Sequence, residues 1–350
     1  MRHALALAER GRYSTHPNPR VGCVVVRDGE IVGEGWHERA GEPHAEVHAL
    51  RAAGERARGA DLFVTLEPCS HHGRTPPCVD AIVAAGVRRV TCAMQDPNPR
   101  VRGQGAQRLR DAGIEVETGL LAEEAARLNR GFVSRMIRNR PFVTLKLASS
   151  LDGRTAMASG ESRWITGAEA RADVHRLRAQ AGAVLTGSET VLADDPGLSV
   201  RDFTAPALRQ PDRVVLDTRG RVPATAKVWA QGARRFWFTA DPGAKPANGV
   251  EAIAVESAPG GLDLAQVLAE LAKREVNEVL VECGPTLGGA FLRQRLADEV
   301  ITYVAPSLLG EDARPLAKLP GLQRLDQRVQ LRFTAAELLG GDVKLTAVPG

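Results

Sequence analysis

Short β-rich runs alternate with helical stretches through nearly the whole chain, and this alternation constrains the fold more than any other feature. Strands separated by helices cannot pair as hairpins. They need crossover connections, and therefore a largely parallel sheet covered by helices. A helix is expected near residues 1–11. VGCVVVRDGEIVGEGW (21–36) then reads as a hairpin turning at Asp28-Gly29, a dipeptide that tolerates positive φ. A helix from Pro43 to Gly54, a strand at 60–66, a helix at 77–85, a strand at 88–94, a helix at 103–112 and a strand at 114–118 complete one unit. The charged segment LLAEEAARLNRGFVSRMIRNRP (120–141) reads as a helical connector ending at Pro141. The pattern then restarts, with strands at 142–148, 183–187, 213–217, 234–240, 278–283 and 299–306, and short strands at the end. Helices are expected at 168–180, 263–274 and 285–294, and the Pro-, Gly- and Ala-rich residues 241–262 read as a surface excursion. The expectation is two α/β domains, 1–120 and 142–350, joined by a connector over 121–141, which suits a length of 350 residues.

Charge excludes some partners. The net charge is only +4, with 21 Arg against 17 acids in residues 1–140 and 25 cations against 25 acids after them. No dense basic stripe is visible, which argues against nucleic acid as a ligand. No apolar run approaches the roughly 18 residues of a membrane span, and the N-terminus lacks an apolar leader pattern. Five cysteines make no even-numbered framework. A reducing, cytoplasmic setting is expected, with Cys69 and Cys78 kept for a metal or for catalysis.

Three pieces carry the chemistry of the first half: Pro43-His44-Ala45-Glu46, Glu67-Pro68-Cys69 and Pro77-Cys78. A catalytic Zn²⁺ wants three N/S ligands and one open position, and His44, Cys69 and Cys78 supply that count. Glu46 is then free to shuttle protons between the attacking water, a ring nitrogen and the leaving amine. Residues i and i+2 diverge in mid-helix, so His44 and Glu46 must sit where a helix begins. Bland readings compete. An isolated His-x-Glu is common at helix starts, two cysteines nine apart are usually unrelated, and His71 or His72 could complete a purely structural zinc site.

His-x-Glu followed by Pro-Cys and a later Cys resembles the zinc-dependent nucleoside and nucleobase deaminases, although their usual Pro-Cys-x-x-Cys is stretched here by SHHGRTPP. With HPNPRVGCVVV, GEPHAEVHAL, TLEPCSHHGRTPPC and QDPNPRVRGQG, residues 1–120 resemble the deaminase domain of the bifunctional riboflavin-biosynthesis deaminase–reductase family. The resemblance implies a cytidine-deaminase-like fold, zinc on His44, Cys69 and Cys78, Glu46 as acid/base, and Asn18, His71, Arg74, Asp96 and Asn98 around a phosphoribosylated pyrimidine. Read alone, His71 and Arg74 could belong to a solvated loop, and the Asp96–Pro99 run could be only a turn.

The second half lacks GxGxxG. It does carry strand EVLVEC leading into Gly284-Pro285-Thr286-Leu287-Gly288-Gly289-Ala290, where backbone N–H groups at a helix start could meet an anion or simply pack closely. Polar clusters at other strand ends add a shared crevice. KLASSLDGRTA, SGESRWIT, TVLADDP, VECGPTLGGA and YVAPSLLG are similar to the reductase domain of the same family, related in fold to dihydrofolate reductase. This implies NADPH contacts at Ala148, Trp164, Thr190, Asp194, Thr218 and the 284–290 turn. It also implies substrate contacts at Ser162, Arg178, Leu198, Arg201 and Glu282. Arg178 and Arg201 suit a ribose phosphate, and Arg219 suits the cofactor's 2′-phosphate. Asp194 and Lys146 are candidates for assisting protonation.

The expected function is zinc-dependent deamination of 2,5-diamino-6-(5-phosphoribosylamino)pyrimidin-4-one, then NADPH reduction of the product's ribosyl group to ribityl, by a homo-oligomer. The competing readings are a deaminase acting on nucleic acid and a non-enzymatic zinc- and nucleotide-binding module.

Overall fold

The computed structural model describes residues 1–71, 76–99 and 101–350. The chain divides into two compact units: Met1–Arg140 with Ala205–Arg209, and Pro141–Thr204 with Gln210–Gly350.

The first unit contains strands β1 (Gly22–Arg27), β2 (Glu30–Trp36), β3 (Asp61–Val64), β4 (Arg89–Cys92) and β5 (Glu115–Thr118). Their order in the sheet is β2-β1-β3-β4-β5, antiparallel through β1 and parallel from β3 to β5. The β1–β2 turn does fall at Asp28-Gly29, with φ of 54° and 84°. Helices α1 (Arg2–Glu9), α2 (Ala45–Ala53), α3 (Cys78–Ala85) and α4 (Gln104–Asp111) follow the expected order. Helix α2 rides directly on β2 because Gly33 and Gly35 have no side chains. A Cβ on Gly33 would stand 2.2 Å from the Ala49 carbonyl oxygen, and one on Gly35 2.5 Å from His48 Cβ. This close seat brings the N-terminus of α2 to the strand ends.

The connector reading needs correction. Helices α5 (Ala122–Leu128) and α6 (Arg130–Arg138) belong to the first unit. Asn129 ties them down: its side chain accepts from Arg20 N at 2.8 Å and donates to the Arg20 carbonyl at 2.9 Å. Phe132 packs against the core formed by Val25, Leu62, Ile82 and Leu109. The apolar face of these helices thus overrides their charged character. In the segment Ala205–Arg209, the Arg209 N–H donates to the Tyr13 carbonyl at 3.2 Å.

The second unit contains β6 (Phe142–Ser150), β7 (Arg154–Ala156), β8 (Ala183–Gly187), β9 (Asp212–Leu216), β10 (Arg235–Thr239) and β11 (Glu251–Ala254). Two short strands, β12 (Ser257–Ala258) and β13 (Gly261–Leu262), precede β14 (Glu278–Glu282), β15 (Glu299–Ala305), β16 (Arg314–Pro315), β17 (Leu331–Leu339) and β18 (Asp342–Pro349). The main sheet runs β11-β10-β9-β8-β14-β6-β15-β18-β17 and is parallel from β11 to β15, with β17 and β18 antiparallel at one edge. Residues 241–262 were expected to be an excursion but contain β11, an edge strand too short to register as a pattern. Helices α7 (Ala168–Gln180), α8 (Ser188–Asp194), α9 (Leu264–Lys273) and α10 (Pro285–Arg293) cover the sheet. Its central strands are buried on both faces. Val143, Leu145 and Val281 point into one core, while Val184, Val215 and Leu280 point into another, as a covered parallel sheet requires.

Candidate active sites

In the first unit, three chain segments converge at the helix N-termini. His44 is the extended residue immediately before α2, with φ −79° and ψ 166°, so its ring and the Glu46 side chain escape the divergence of mid-helix positions. Cys78 opens α3, and Cys69 lies in the loop after β3. His44 Nδ1 is 3.0 Å from Cys78 Sγ and 3.5 Å from Cys69 Sγ, and the Cys78 N–H donates to Cys69 Sγ at 3.3 Å. The three donor atoms lie within 4.8 Å of one another. A tetrahedral zinc with ordinary Zn–N and Zn–S bonds needs ligand separations of about 3.5–3.8 Å, so the set fits. Its electrostatics agree. Hydrogen bonds from Cys78 and His44 hold the Cys69 thiol below its ordinary range, the hydrogen bond to Cys69 and burial push Cys78 up, and the bond to Cys69 raises His44. Cys69 is thus ready as a thiolate, and the protons held on Cys78 and His44 are ones a metal ion displaces.

Glu46 is buried in the first turn of α2, and burial raises its carboxyl above the ordinary range. Asn18 is fixed by a residue that sequence reasoning missed. The Nδ1 of His37 faces the Pro43 carbonyl at 3.2 Å and must donate, so its Nε2 accepts from Asn18 Nδ2 at 3.0 Å. The Asn18 carbonyl oxygen is left for another donor. Burial pushes His37 down to about 4, keeping it neutral, and its ring meets that of His44 edge-on at 5.3 Å. Asp96 Oδ1 accepts from the Asn98 N–H at 2.8 Å, and burial, reinforced by the charge of Glu67, pushes its carboxyl up to about 6. His71 is exposed, and Arg74 lies outside the described residues.

The second unit builds its site differently. Arg178 on α7 meets Glu282 at the end of β14 through two bonds, Nε–Oε1 at 2.6 Å and Nη2–Oε2 at 2.9 Å, with both side chains about nine-tenths buried. Burial opposes the Glu282 charge and Arg178 overrides it, so the carboxyl titrates below its ordinary range. Lys146 pairs in register with Glu282 across β6 and β14, and its Nζ lies 5.9 Å from the Tyr303 ring centroid. Burial lowers its pKa, while Glu282 opposes that effect. The Arg201 N–H donates to His175 Nδ1 at 3.1 Å, and Arg178 Nη1 donates to the Ser199 carbonyl at 3.0 Å. His175 and Ser199 were not singled out from the sequence. Leu198 is buried in the core with a φ of 50°, so its side chain is committed to packing.

Trp164 is not a core residue. It is 70% exposed, with the Arg171 guanidinium 4.5 Å from its ring centroid. Ser162 lies partly exposed two residues before it. Asp194 ends α8, where its carbonyl accepts from Arg163 at 2.9 Å and its carboxylate lies 3.8 Å from the same guanidinium. Thr190 stands beside Gly284, 4.0 Å from the position a Cβ there would take. Thr218 and Ala148 are partly exposed and Arg219 exposed. The glycines of the 284–290 turn divide by role. Gly284 is the extended N-cap of α10 and Thr286 is exposed, whereas Gly288 packs on Leu147 and a Cβ at Gly289 would meet the Lys318 carbonyl at 2.0 Å.

Residues 141–345 match the RibD C-terminal domain, and residues 1–94 match the cytidine and deoxycytidylate deaminase zinc-binding region. The riboflavin biosynthesis protein RibD of Escherichia coli is 54% identical over 360 aligned positions, covering 99% of this chain and 98% of that protein. The chain belongs to the RibD family. The RibD of Haemophilus influenzae is 47% identical, covering 100% and 96% of the two chains. The solved RibD of Acinetobacter baumannii superposes with a TM-score of 0.92 at 46% identity, covering 100% of this chain and 97% of that one. A Thermotoga maritima structure described as a diaminohydroxyphosphoribosylaminopyrimidine deaminase/5-amino-6-(5-phosphoribosylamino)uracil reductase superposes at 0.89 and 36% identity, with coverage of 100% and 97%. The RibD architecture here is thus a cytidine-deaminase-like unit followed by a reductase unit. Among the described residues, no helix is long and apolar enough to cross a membrane.

Proposed function

We infer that the chain carries out two successive steps of riboflavin biosynthesis, deaminating a phosphoribosylated diaminopyrimidinone with zinc and then reducing the product's ribosyl group with NADPH. The observation that carries the first step is the convergence of His44, Cys69 and Cys78 beside a buried, pKa-raised Glu46.

His44, Cys69 and Cys78 would hold the zinc, which when bound supplies Lewis-acid activation of water at neutral pH. Glu46 takes a proton from the attacking water and gives it to the ring nitrogen, then takes the second proton from the hydroxyl now on the ring carbon and gives it to the departing amine, which leaves as ammonia; burial keeps its affinity for the proton high. Asn18 presents its carbonyl oxygen to a ring donor, held in that sense by His37. Asp96, with Asn98 behind it, holds the other edge of the pyrimidine, and His71 and Arg74 meet the phosphate.

In the reductase unit, NADPH supplies the hydride. Gly284, Thr286 and Leu287 at the open start of α10, with Thr190, Thr218, Ala148, Trp164 and Asp194 around them, would receive it. Gly288, Gly289 and Ala290 let the helix pack closely enough to aim that end. Arg178 and Arg201 orient the substrate phosphate, with Glu282 holding Arg178 in place, and Ser162 and the main chain of Leu198 complete the pocket. Lys146, with its lowered pKa, is the better proton donor. Asp194 is engaged by Arg163 at the end of α8.

One reaction mixture tests both steps, with the diaminopyrimidinone, zinc and NADPH present and ammonia and NADPH absorbance followed together. Glu46→Ala should slow ammonia release by about 10²–10⁴-fold and regain NADPH oxidation when the deaminated intermediate is supplied. Lys146→Met should release ammonia normally and leave NADPH unoxidised. Ammonia release at the wild-type rate from chelated, metal-free protein would refute the zinc reading.

A further inference from the structure

Between the metal ligands and the residues proposed to grip the pyrimidine stands a carboxylate to which nothing above assigns a task. Glu67 sits two residues before Cys69 and is 95% buried. It forms no salt bridge among the described residues; three backbone N–H groups satisfy it instead. Oε2 accepts from Asp96 N at 3.1 Å and Gly103 N at 3.0 Å, and Oε1 accepts from Ala106 N at 3.1 Å.

Two of those donors belong to the N-terminus of α4. The residue at its N-cap, Gly103, has no side chain to cap it, and its first turn holds no acid. The orphan N–H groups that a local Ser, Asp or Glu would ordinarily satisfy are satisfied by a residue 36 and 39 positions earlier. The third donor is the main chain of Asp96 itself. One carboxylate thus holds the main chain at both Asp96 and Gly103. A close backbone contact reinforces it: a Cβ on Gly105 would lie 2.0 Å from the Pro68 carbonyl oxygen, so α4 rests directly on the residue between Glu67 and Cys69.

We propose that Glu67 is a positioning residue for deamination, locking the Asp96–Asn98 substrate loop to the chain that bears the metal ligand Cys69 and so setting the distance between ring and metal. The proposal rests on the reading of Asp96 as a substrate contact. Glu67 touches neither substrate nor metal in this scheme; it acts through the main chain of Asp96 and the seat of α4. A glutamine in its place turns one acceptor into a donor facing N–H groups, and at least one bond is lost.

The test uses the full-length, zinc-loaded protein and three variants. Glu67→Gln removes acceptor capacity, Gly105→Ala pushes α4 off Pro68 while keeping the carboxylate, and Asp96→Asn probes the contact beneath the proposal. Each is read for deaminase KM and kcat, bound zinc, and reductase rate on the deaminated intermediate, which reports folding of the same chain. Glu67→Gln and Gly105→Ala should both raise KM by about tenfold, the loss expected for one buried hydrogen bond, with zinc content and reductase rate unchanged and kcat little altered. If Asp96→Asn raises KM while the other two stay within about twofold of wild type, Glu67 does not position the loop. Loss of zinc, kcat and KM together would make Glu67 a support of the ligand loop alone and overturn the proposal. An unchanged KM in Asp96→Asn removes the substrate reading of Asp96, and the proposal falls with it. Should Glu67→Gln also lower the reductase rate, Gly105→Ala decides.

Discussion

The two units solve the problem of holding reactive groups in opposite ways. The first gathers its candidate metal ligands, His44, Cys69 and Cys78, from three short segments, each at a helix start or just past a strand end. The second brings together residues far apart in sequence: Lys146 and Glu282 face each other in register on neighbouring strands, and a buried ion pair ties Glu282 to Arg178. A metal site demands ligand atoms almost in contact, so it fits short loops and rigid helix termini. A site that aligns two large substrates needs a long crevice, and a buried ion pair to keep its arginine in place.

Breaking the charge device should produce the largest effect on stability. Glu282→Ala leaves Arg178 buried without its ion-pair partner and removes the charge that opposes the burial of Lys146, which should cost about 3–5 kcal/mol and abolish reduction, while deamination by the same chain persists. Urea denaturation with both activities followed checks this. The double change Arg178→Met with Glu282→Leu should recover much of the stability and none of the reductase activity. If Glu282→Ala is as stable as wild type, the contrast between the units is lost.

A smaller effect should appear in the pH dependence of the first unit. Asp96 has its carboxyl raised to about 6, so below that pH it is protonated and, in the role proposed for it, offers the pyrimidine edge one acceptor fewer. Deaminase kcat/KM should therefore rise with pH through about 6 and then level off, since this ratio reports ionisations of the free enzyme. In Asp96→Asn that acid limb should vanish. A limb that survives the substitution belongs to another group, either Glu46, whose carboxyl burial also raises, or the substrate's phosphate.

The smallest effect lies away from both sites. Asp263 caps α9, accepting from Ala265 N at 2.9 Å and Gln266 N at 3.1 Å. Asp263→Ala should cost about 1 kcal/mol in a denaturation curve and leave both rates intact. A loss of reductase activity would show that the second unit's crevice depends on helices remote from it.

The same contrast explains what could be read from the sequence. His44, Glu46, Cys69 and Cys78 announce themselves because zinc chemistry accepts few side-chain types, and the strand–helix alternation announces the parallel sheets. Glu67 was visible as a motif letter without a task, because its partners are backbone N–H groups up to 39 residues away. The bond from Arg178 to Glu282 spans 104 residues, and either residue alone reads as a solvated charge. Leu198 looks like any loop leucine until its burial and positive φ are seen. Helices α5 and α6 read as a connector because their charges outnumber the few apolar residues that seat them.

The five residues Ala205–Arg209 have a consequence of timing. They belong to the first unit, yet Pro141–Thr204 precede them in the chain. At a synthesis rate of about 5–20 residues per second, the deaminase unit waits roughly 3–13 s after Arg140 is made for its last segment to begin. During that interval the Tyr13 carbonyl lacks the Arg209 N–H that later meets it. Although it is encoded first, the deaminase unit is completed only after the first strands of its successor have left the ribosome.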